Sequence, residues 1–247
     1  MSRPSWNVVA GLVVGALLAV SVSTAQAQKD EKLIHAAIKP VPRDAGWVKR
    51  HEGFNEEAKK GNIDLVFIGD SITDGWRGAG KAAWEKYYTP RKALNLGIGG
   101  DRTQHVLWRL QNGNLDGIKP KLAVIMIGTN NSNGKDNTSE EIADGIKAII
   151  STIRTKTPDT KILLLAIFPR GAGPSPQREK NAQASELASK VADDKMVFYI
   201  DFGKKFLTED GTLSKEVMPD LLHLNAKSYE TWAEAIEPKV KELLGEK

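Results

Sequence analysis

Apolar residues cluster in five short runs that are separated by longer segments of mixed polarity. The runs span residues 63–68, 93–96, 122–127, 162–168 and 196–200. Each run is almost wholly apolar, with little alternation of polar and apolar positions, which is typical of strands covered by helices on both faces. The pattern therefore predicts a five-stranded parallel sheet.

The segments between these runs carry signals of helices. Thr138 and Glu141 are spaced as a capping box, and Thr157-Pro158 is expected to end the helix that they begin. A last helix is expected to start near Asn225, and Pro238 to kink or interrupt it. Alternating strands and helices predict a three-layer α/β/α sandwich, whose ligands bind beyond the carboxyl ends of the strands.

The amino terminus has the pattern of a signal peptide over residues 1–27. Arg3 precedes an apolar run over 8–22, which ends at Ala25-Gln26-Ala27, a small-x-small cleavage pattern. The run is shorter than the roughly 20 residues that a membrane-spanning helix needs. We therefore expect export to a periplasm or the medium after cleavage near Ala27, with no stable membrane insertion afterwards. A retained anchor is the alternative.

The remaining chain is long enough for one buried domain and short for two. Residues 28–46 are polar and contain Pro40 and Pro42, so we expect an extended lead-in there. The folded domain is expected to occupy 47–247. The sequence leaves homodimer formation open.

Composition narrows the functional classes. The chain has 35 Lys and Arg against 31 Asp and Glu, and the two signs are interleaved, so nucleic acid is not an expected partner. It has no cysteine, which excludes thiol catalysis and thiolate metal sites. No histidine cluster has zinc spacing. We expect no metal and no cofactor.

Polar residues with catalytic potential follow three of the predicted strands. Gly69-Asp70-Ser71 follows the first, 97–101 follows the second and contains Gly99-Gly100, and 128–131 follows the third and contains Asn130-Asn131. Asp220 and His223 lie just ahead of the last helix. Because parallel strands end at one edge of the sheet, a single cleft can gather all of these residues.

Together these residues have the composition of an acyl-transfer site. A serine becomes a useful nucleophile when a histidine takes its proton and a carboxylate orients that histidine. One turn can hold Asp220 against Nδ1 of His223 and leave Nε2 facing Ser71. The amides of Ser71 and Gly100 and the side chain of Asn130 are candidate donors to the developing oxyanion.

Taken singly, each residue has an ordinary structural role. Ser71 suits a helix cap and Gly99-Gly100 a tight turn. Asn130-Asn131 is a common loop pair, and Asp220 with His223 could cap a helix or bind a metal.

For one further histidine and three tryptophans we expect structural roles. His51 is expected on a solvated helix face. Trp76, Trp84 and Trp108 are expected to pack in the core rather than to form a platform for sugars.

The segments that carry these residues are 69–71, 97–101, 128–131 and 220–223. They resemble the four conserved sequence blocks of the SGNH (GDSL) hydrolase superfamily. Within it, ALNLGIGGDRTQHVLWRL over 93–110, Phe168-Pro169-Arg170-Gly171 and PDLLHL over 219–224 are similar to the catalytic subunits of intracellular platelet-activating factor acetylhydrolases. The resemblance spans roughly residues 47–245. It implies a flavodoxin-like SGNH fold.

The resemblance also implies roles for five residues. Ser71 is the implied nucleophile, Asp220 and His223 complete the triad, and Gly100 and Asn130 are oxyanion donors together with the amide of Ser71. Ser71 is not in a Gly-x-Ser-x-Gly elbow, so an α/β-hydrolase is not expected.

The sequence as a whole predicts an exported serine esterase. We expect it to remove acetyl or other short acyl groups by way of an acyl-enzyme intermediate. The expected substrate is a small-molecule or glycan ester, with an acetylated carbohydrate favoured. The alternative is that the enzyme is an acyl hydrolase whose substrate is a lysophospholipid or a lipid like platelet-activating factor. The alternative of another class is a noncatalytic carbohydrate-binding module on the same fold.

Overall fold

The structure, a computed structural model, describes Met1 and residues 34–246. Apart from Met1, the predicted signal peptide lies outside the described residues, as do residues 28–33. The described residues from Ala36 onward form one compact unit. Within the described part of the chain, no helix is both long enough and apolar enough to cross a membrane.

Within residues 34–246, five parallel strands form one sheet, as expected from the apolar runs. Their order is β2-β1-β3-β4-β5, with β1 and β3 next to each other in the interior. The strands are β1 Leu65–Gly69, β2 Ala93–Asn95, β3 Leu122–Met126, β4 Lys161–Leu165 and β5 Val197–Ile200. The predicted three-layer α/β fold is confirmed.

In the described residues, seven α-helices connect and cover the strands. They are α1 Ala45–Lys59, α2 Ser71–Asp74, α3 Lys81–Tyr87, α4 Thr103–Gln111, α5 Ser139–Lys156, α6 Pro176–Ser189 and α7 Ala226–Leu244. Short 3-10 helices lie at Ala36–Ile38, Gly75–Arg77, Thr89–Arg91 and Gly203–Phe206.

Alternate residues of each central strand enter different hydrophobic cores. Val66 and Ile68 pack with apolar residues of α1, α4, α5 and α6 on one face of the sheet. Leu65 and Phe67 pack with residues of α3 and α7 on the other face. Because both faces are covered, the strands have no polar side, which explains their unbroken apolar runs.

The expected helix boundaries are found, with one exception. Thr138 and Glu141 form the capping box of α5, and Asn225 caps α7. Pro238 does not interrupt α7, which continues to Leu244. Ile236 and Val240 are fully buried on either side of the proline. This packing holds the helix together despite the backbone hydrogen bond that proline cannot donate.

The segment predicted as an extended lead-in partly belongs to the folded unit. Ala36–Ile38 is a 3-10 helix, and its buried Ala37 accepts a hydrogen bond from Thr103 Oγ1 at 2.7 Å. Helix α1 begins at Ala45 and is capped by Asp44. The predicted boundary between 46 and 47 therefore falls inside the domain. The contacts that tie this segment to the domain are a hydrogen bond to a backbone carbonyl and a helix cap. Such contacts produce no periodic pattern of apolar residues in the sequence.

The expectation for His51 was wrong, whereas that for the tryptophans is confirmed. His51 is buried, and its ring nitrogens lie 2.9 Å from Asn112 O and 3.1 Å from Asn114 Nδ2. Trp76 is fully buried, and Trp84 and Trp108 pack against the two cores.

Candidate active site

Ser71 lies where β1 ends, as the first residue of α2. The preceding residue, Asp70, caps this helix, because its Oδ1 accepts the amide hydrogen of Ile72 at 3.0 Å. The cap role considered for Ser71 thus belongs to Asp70. The hydroxyl of Ser71 hydrogen-bonds to a histidine instead.

That histidine is His223, and it is bonded in turn to a carboxylate. Nε2 of His223 lies 2.8 Å from Ser71 Oγ, and Nδ1 lies 2.6 Å from Asp220 Oδ2. The other oxygen of Asp220 accepts the backbone amides of Leu222 at 3.0 Å and His223 at 2.7 Å. Leu221 takes a left-handed conformation, with φ of 61°, which closes the turn. The turn holds the carboxylate and the imidazole in one geometry.

The electrostatics of Asp220 suit a histidine that becomes charged. Burial alone would raise the pKa of this carboxyl, but hydrogen bonds from the side chain and backbone of His223 outweigh it, and the pKa is lowered. Asp220 is therefore ionised at neutral pH. An ionised carboxylate fixes the Nδ1–H tautomer and leaves Nε2 free to accept the serine proton.

The turn after β2 carries Gly100 to the same edge of the sheet. Asp101 N donates to Ile98 O at 3.2 Å, which closes the turn, and Gly100 has φ of 77°. A Cβ added at Gly99 would lie 3.8 Å from the Cβ of Ser71. The turn thus adjoins the serine.

Asn130 and Asn131 differ in their surroundings. Asn130 follows β3, and its Nδ2 donates one hydrogen to Asp101 O at 2.9 Å, so a second hydrogen remains for a ligand. Asn131 is fully buried. Its side-chain amide hydrogen-bonds to groups of three other residues, Thr103, Gln104 and Asn137. Asn131 is therefore a structural residue, whereas the bond to Asp101 O occupies only one amide hydrogen of Asn130.

A buried ion-pair network lies behind the turn after β2, and the sequence did not reveal it. The fully buried carboxylate of Asp101 accepts hydrogen bonds from Trp47 Nε1 at 2.6 Å, Arg109 Nε at 2.9 Å and Arg43 Nη1 at 3.2 Å. Asp101 and Arg109 lie eight residues apart, so no short motif links them. Their burial follows from tertiary packing.

Asp70 adds a second buried carboxyl next to the serine. Burial raises its pKa to about 7; the charge of Asp101 also raises it, while the amide of Ile72 and the charge of His223 lower it. Its Oδ2 is buried and has no hydrogen-bond partner among the described residues. Burial therefore favours the protonated form of this carboxyl.

The structure thus brings Ser71, Asp220 and His223 into one hydrogen-bonded chain, with the loops of Gly100 and Asn130 beside it. A nucleophile, a base, an orienting carboxylate and candidate amide donors are the parts of an acyl-transfer site. Among the described residues, no group of three or more His, Cys, Asp or Glu side chains could hold a metal ion. Asp220 and His223 are hydrogen-bonded to each other, and His223 is also hydrogen-bonded to Ser71.

Comparison with known proteins agrees with this chemistry. Residues 67–231 match the GDSL-like lipase/acylhydrolase family. The chain is 38% identical over 223 residues to subunit alpha2 of the human platelet-activating factor acetylhydrolase IB, covering 90% of this chain and 95% of the relative.

Solved structures share the fold. A carbohydrate acetylesterase from Sinorhizobium meliloti is 22% identical with a TM-score of 0.58, over 74% of this chain and all of that one. An acetylxylan esterase from Geobacillus stearothermophilus, solved as a catalytic mutant, is 17% identical with a TM-score of 0.58, over 76% of this chain and 96% of that one.

Proposed function

Since this chain belongs to the GDSL-like lipase/acylhydrolase family and is a carboxylic ester hydrolase, we propose that it removes acetyl groups with Ser71 as nucleophile. Asp220 and His223 complete the triad. The oxyanion donors are the amides of Ser71 and Gly100 and the side chain of Asn130. The observation that carries the proposal is the chain Ser71 Oγ, His223 Nε2, His223 Nδ1, Asp220 Oδ2, with links of 2.8 Å and 2.6 Å.

The reaction runs in two steps on these residues. Ser71 Oγ attacks the ester carbonyl while its proton passes to His223 Nε2, and the charge that develops on the carbonyl oxygen is met by the three donors. Collapse of the tetrahedral intermediate breaks the bond to the alcohol, which leaves with the proton from His223. A water molecule, activated by the same histidine, then hydrolyses the acetyl-serine and restores the enzyme.

The polarity of the surrounding loops supports a short acyl group. A long chain would need an apolar groove, since each buried methylene contributes about 0.8 kcal/mol. The loop after β3, residues 131–137, is wholly polar, and 170–175, after β4, has no bulky apolar residue. Such loops offer little cover to a long acyl chain.

For the alcohol part of the ester we propose a carbohydrate. Polar loops suit a hydroxyl-rich alcohol, and the expected export gives access to glycans outside the cell. Two neighbours of the same fold act on acetylated carbohydrate according to their names.

A phospholipid acetyl ester is the second candidate, because the relative at 38% identity is an acetylhydrolase of platelet-activating factor. The noncatalytic binding module is disfavoured, since such a module does not need the hydrogen-bonded Ser71, His223 and Asp220.

A panel of esters tests the acyl and alcohol parts separately. We expect kcat/KM to fall from aryl acetate to butyrate and to be lowest for octanoate, because the longer chains lack an apolar groove. Equal turnover of octanoate and acetate would overturn the short-acyl proposal. Acetylated xylo-oligosaccharides are expected to exceed platelet-activating factor in kcat/KM; the reverse order would assign the phospholipid.

Export rests on the pattern of residues 1–27 and is tested on the protein made by its native host. We expect intact mass spectrometry to find a mature chain that begins at Gln28, in the periplasm or the medium, because the segment ends in Ala25-Gln26-Ala27. Recovery of the uncleaved chain from the cytoplasm would contradict export and would remove one argument for carbohydrate.

A further inference from the structure

Arg43 lies ahead of α1 and reaches the turn that follows β2. Its Nη1 donates to Gly99 O at 2.7 Å and to Asp101 Oδ1 at 3.2 Å. The guanidinium also covers Gly100, where an added Cβ would lie 3.2 Å from Nη1 and 3.3 Å from Nη2. A residue from the predicted lead-in thus packs on the turn that carries a proposed oxyanion donor.

The bond to Gly99 O acts on the amide of Gly100, because both groups belong to one peptide unit. A peptide bond is planar and trans, so its C=O and N–H point in opposite directions. Fixing the carbonyl of Gly99 from one side therefore fixes the direction of the Gly100 N–H on the other side. A charged donor on the carbonyl also polarises the peptide, which makes the N–H a stronger donor.

The guanidinium is itself held in place. The carboxylate of Asp101, which accepts its second bond, is fully buried and also held by Trp47 and Arg109. The backbone carbonyl of Asp101 accepts the bond from Asn130 Nδ2. Two of the three proposed oxyanion donors are thus tied to Asp101: the Asn130 side chain directly, and the Gly99–Gly100 peptide through Arg43.

We propose that Arg43 is a positioning residue that orients and polarises the Gly99–Gly100 peptide, so that the Gly100 N–H is ready for the oxyanion. Arg43 acts through this peptide and not by contact with the substrate. The inference rests on the proposed function, since it requires Gly100 to serve as an oxyanion donor. It makes the segment before α1 part of the catalytic unit.

The test compares Arg43→Met and Arg43→Lys with Arg154→Met in the full chain. Arg154 is a matched control: it is also half-exposed and donates to backbone carbonyls, those of Pro158 and Thr160, but in the loop before β4 at the opposite end of the sheet. kcat and KM are measured on an aryl acetate, and Ki on an aryl trifluoromethyl ketone. The ketone adds to the serine and places an oxyanion in the site.

For Arg43→Met we expect kcat to fall roughly 10- to 100-fold, which is less than the loss expected when a whole oxyanion donor is removed. KM should stay within about twofold of the wild-type value. Ki of the ketone should rise by a similar factor, since both report binding of the oxyanion. Arg43→Lys, which keeps the charge, should lose about 3- to 10-fold. Arg154→Met should match the wild type.

Specific results would overturn the role of Arg43, and a different result would overturn the proposed function. An Arg43→Met enzyme with unchanged kcat and ketone Ki would overturn the inference, as would equal losses in Arg154→Met. If Arg43→Met does not fold, Arg43→Lys decides by the same two constants. An active Ser71→Ala enzyme would overturn the proposed function itself, whereas an inactive Ser71→Ala beside a fully active Arg43→Met would overturn only the role of Arg43.

Discussion

Ser71→Ala is expected to lower kcat by up to ~10⁶, the loss found when a triad serine is removed. In the proposed mechanism the hydroxyl, which lies 2.8 Å from His223 Nε2, is the attacking group, so no acyl-enzyme should form without it. The fold should be retained, because Asp70 and not Ser71 caps α2. Steady-state kinetics on an aryl acetate give kcat, and thermal unfolding checks the fold.

Ser189→Ala is the control for this variant. Ser189 is half-buried at the end of α6, and its hydroxyl donates to Glu186 O. Its removal should change neither kcat nor the unfolding temperature. A Ser71→Ala enzyme that keeps more than a few percent of wild-type kcat would show that another residue attacks the ester.

Asn130→Ala is expected to lose roughly 10² to 10³ in kcat, the usual loss for one oxyanion donor. One hydrogen of its Nδ2 is bonded to Asp101 O, which fixes the amide, and the proposed mechanism assigns the second hydrogen to the oxyanion. Because this bond strengthens in the transition state, KM should change little. The measurement is kcat and KM on the same aryl acetate.

Asn131→Ala provides the contrast. This side chain is fully buried and bonded within the fold, so its loss should lower the free energy of unfolding by about 1 to 3 kcal/mol for a partner left unsatisfied. The folded fraction should keep much of its kcat. If Asn130→Ala instead resembled Asn131→Ala in stability and kept its kcat, Asn130 would be structural and the oxyanion role would fall.

Features that depend on short-range pattern were predictable from the sequence. The unbroken apolar runs identified all five strands, since strands buried on both faces have no polar side. The spacing of Asp220 and His223 was sufficient to place both on one turn, because three residues complete a turn. The ends of parallel strands share an edge, which brought Ser71 and Asn130 to the same edge of the sheet.

Features that depend on tertiary contacts were not predicted. Nothing in the local sequence joins Arg43 to Gly99, because the bond spans 56 residues. The pairing of Asp101 with Arg109 allows two charges to be buried that would otherwise stay in water. Burial of His51 did leave a signal: it lies at helical spacing with Trp47, Phe54 and Ala58, all buried on one face of α1.

The most direct test of the account is to map the residue that a fluorophosphonate labels. The enzyme is treated with the reagent, digested, and analysed by mass spectrometry. We expect one phosphonylated peptide with the modification on Ser71, no label in Ser71→Ala, and slow labelling in His223→Ala because the base is absent. Modification of another residue, or undiminished labelling of Ser71→Ala, would contradict the assignment of Ser71 as nucleophile.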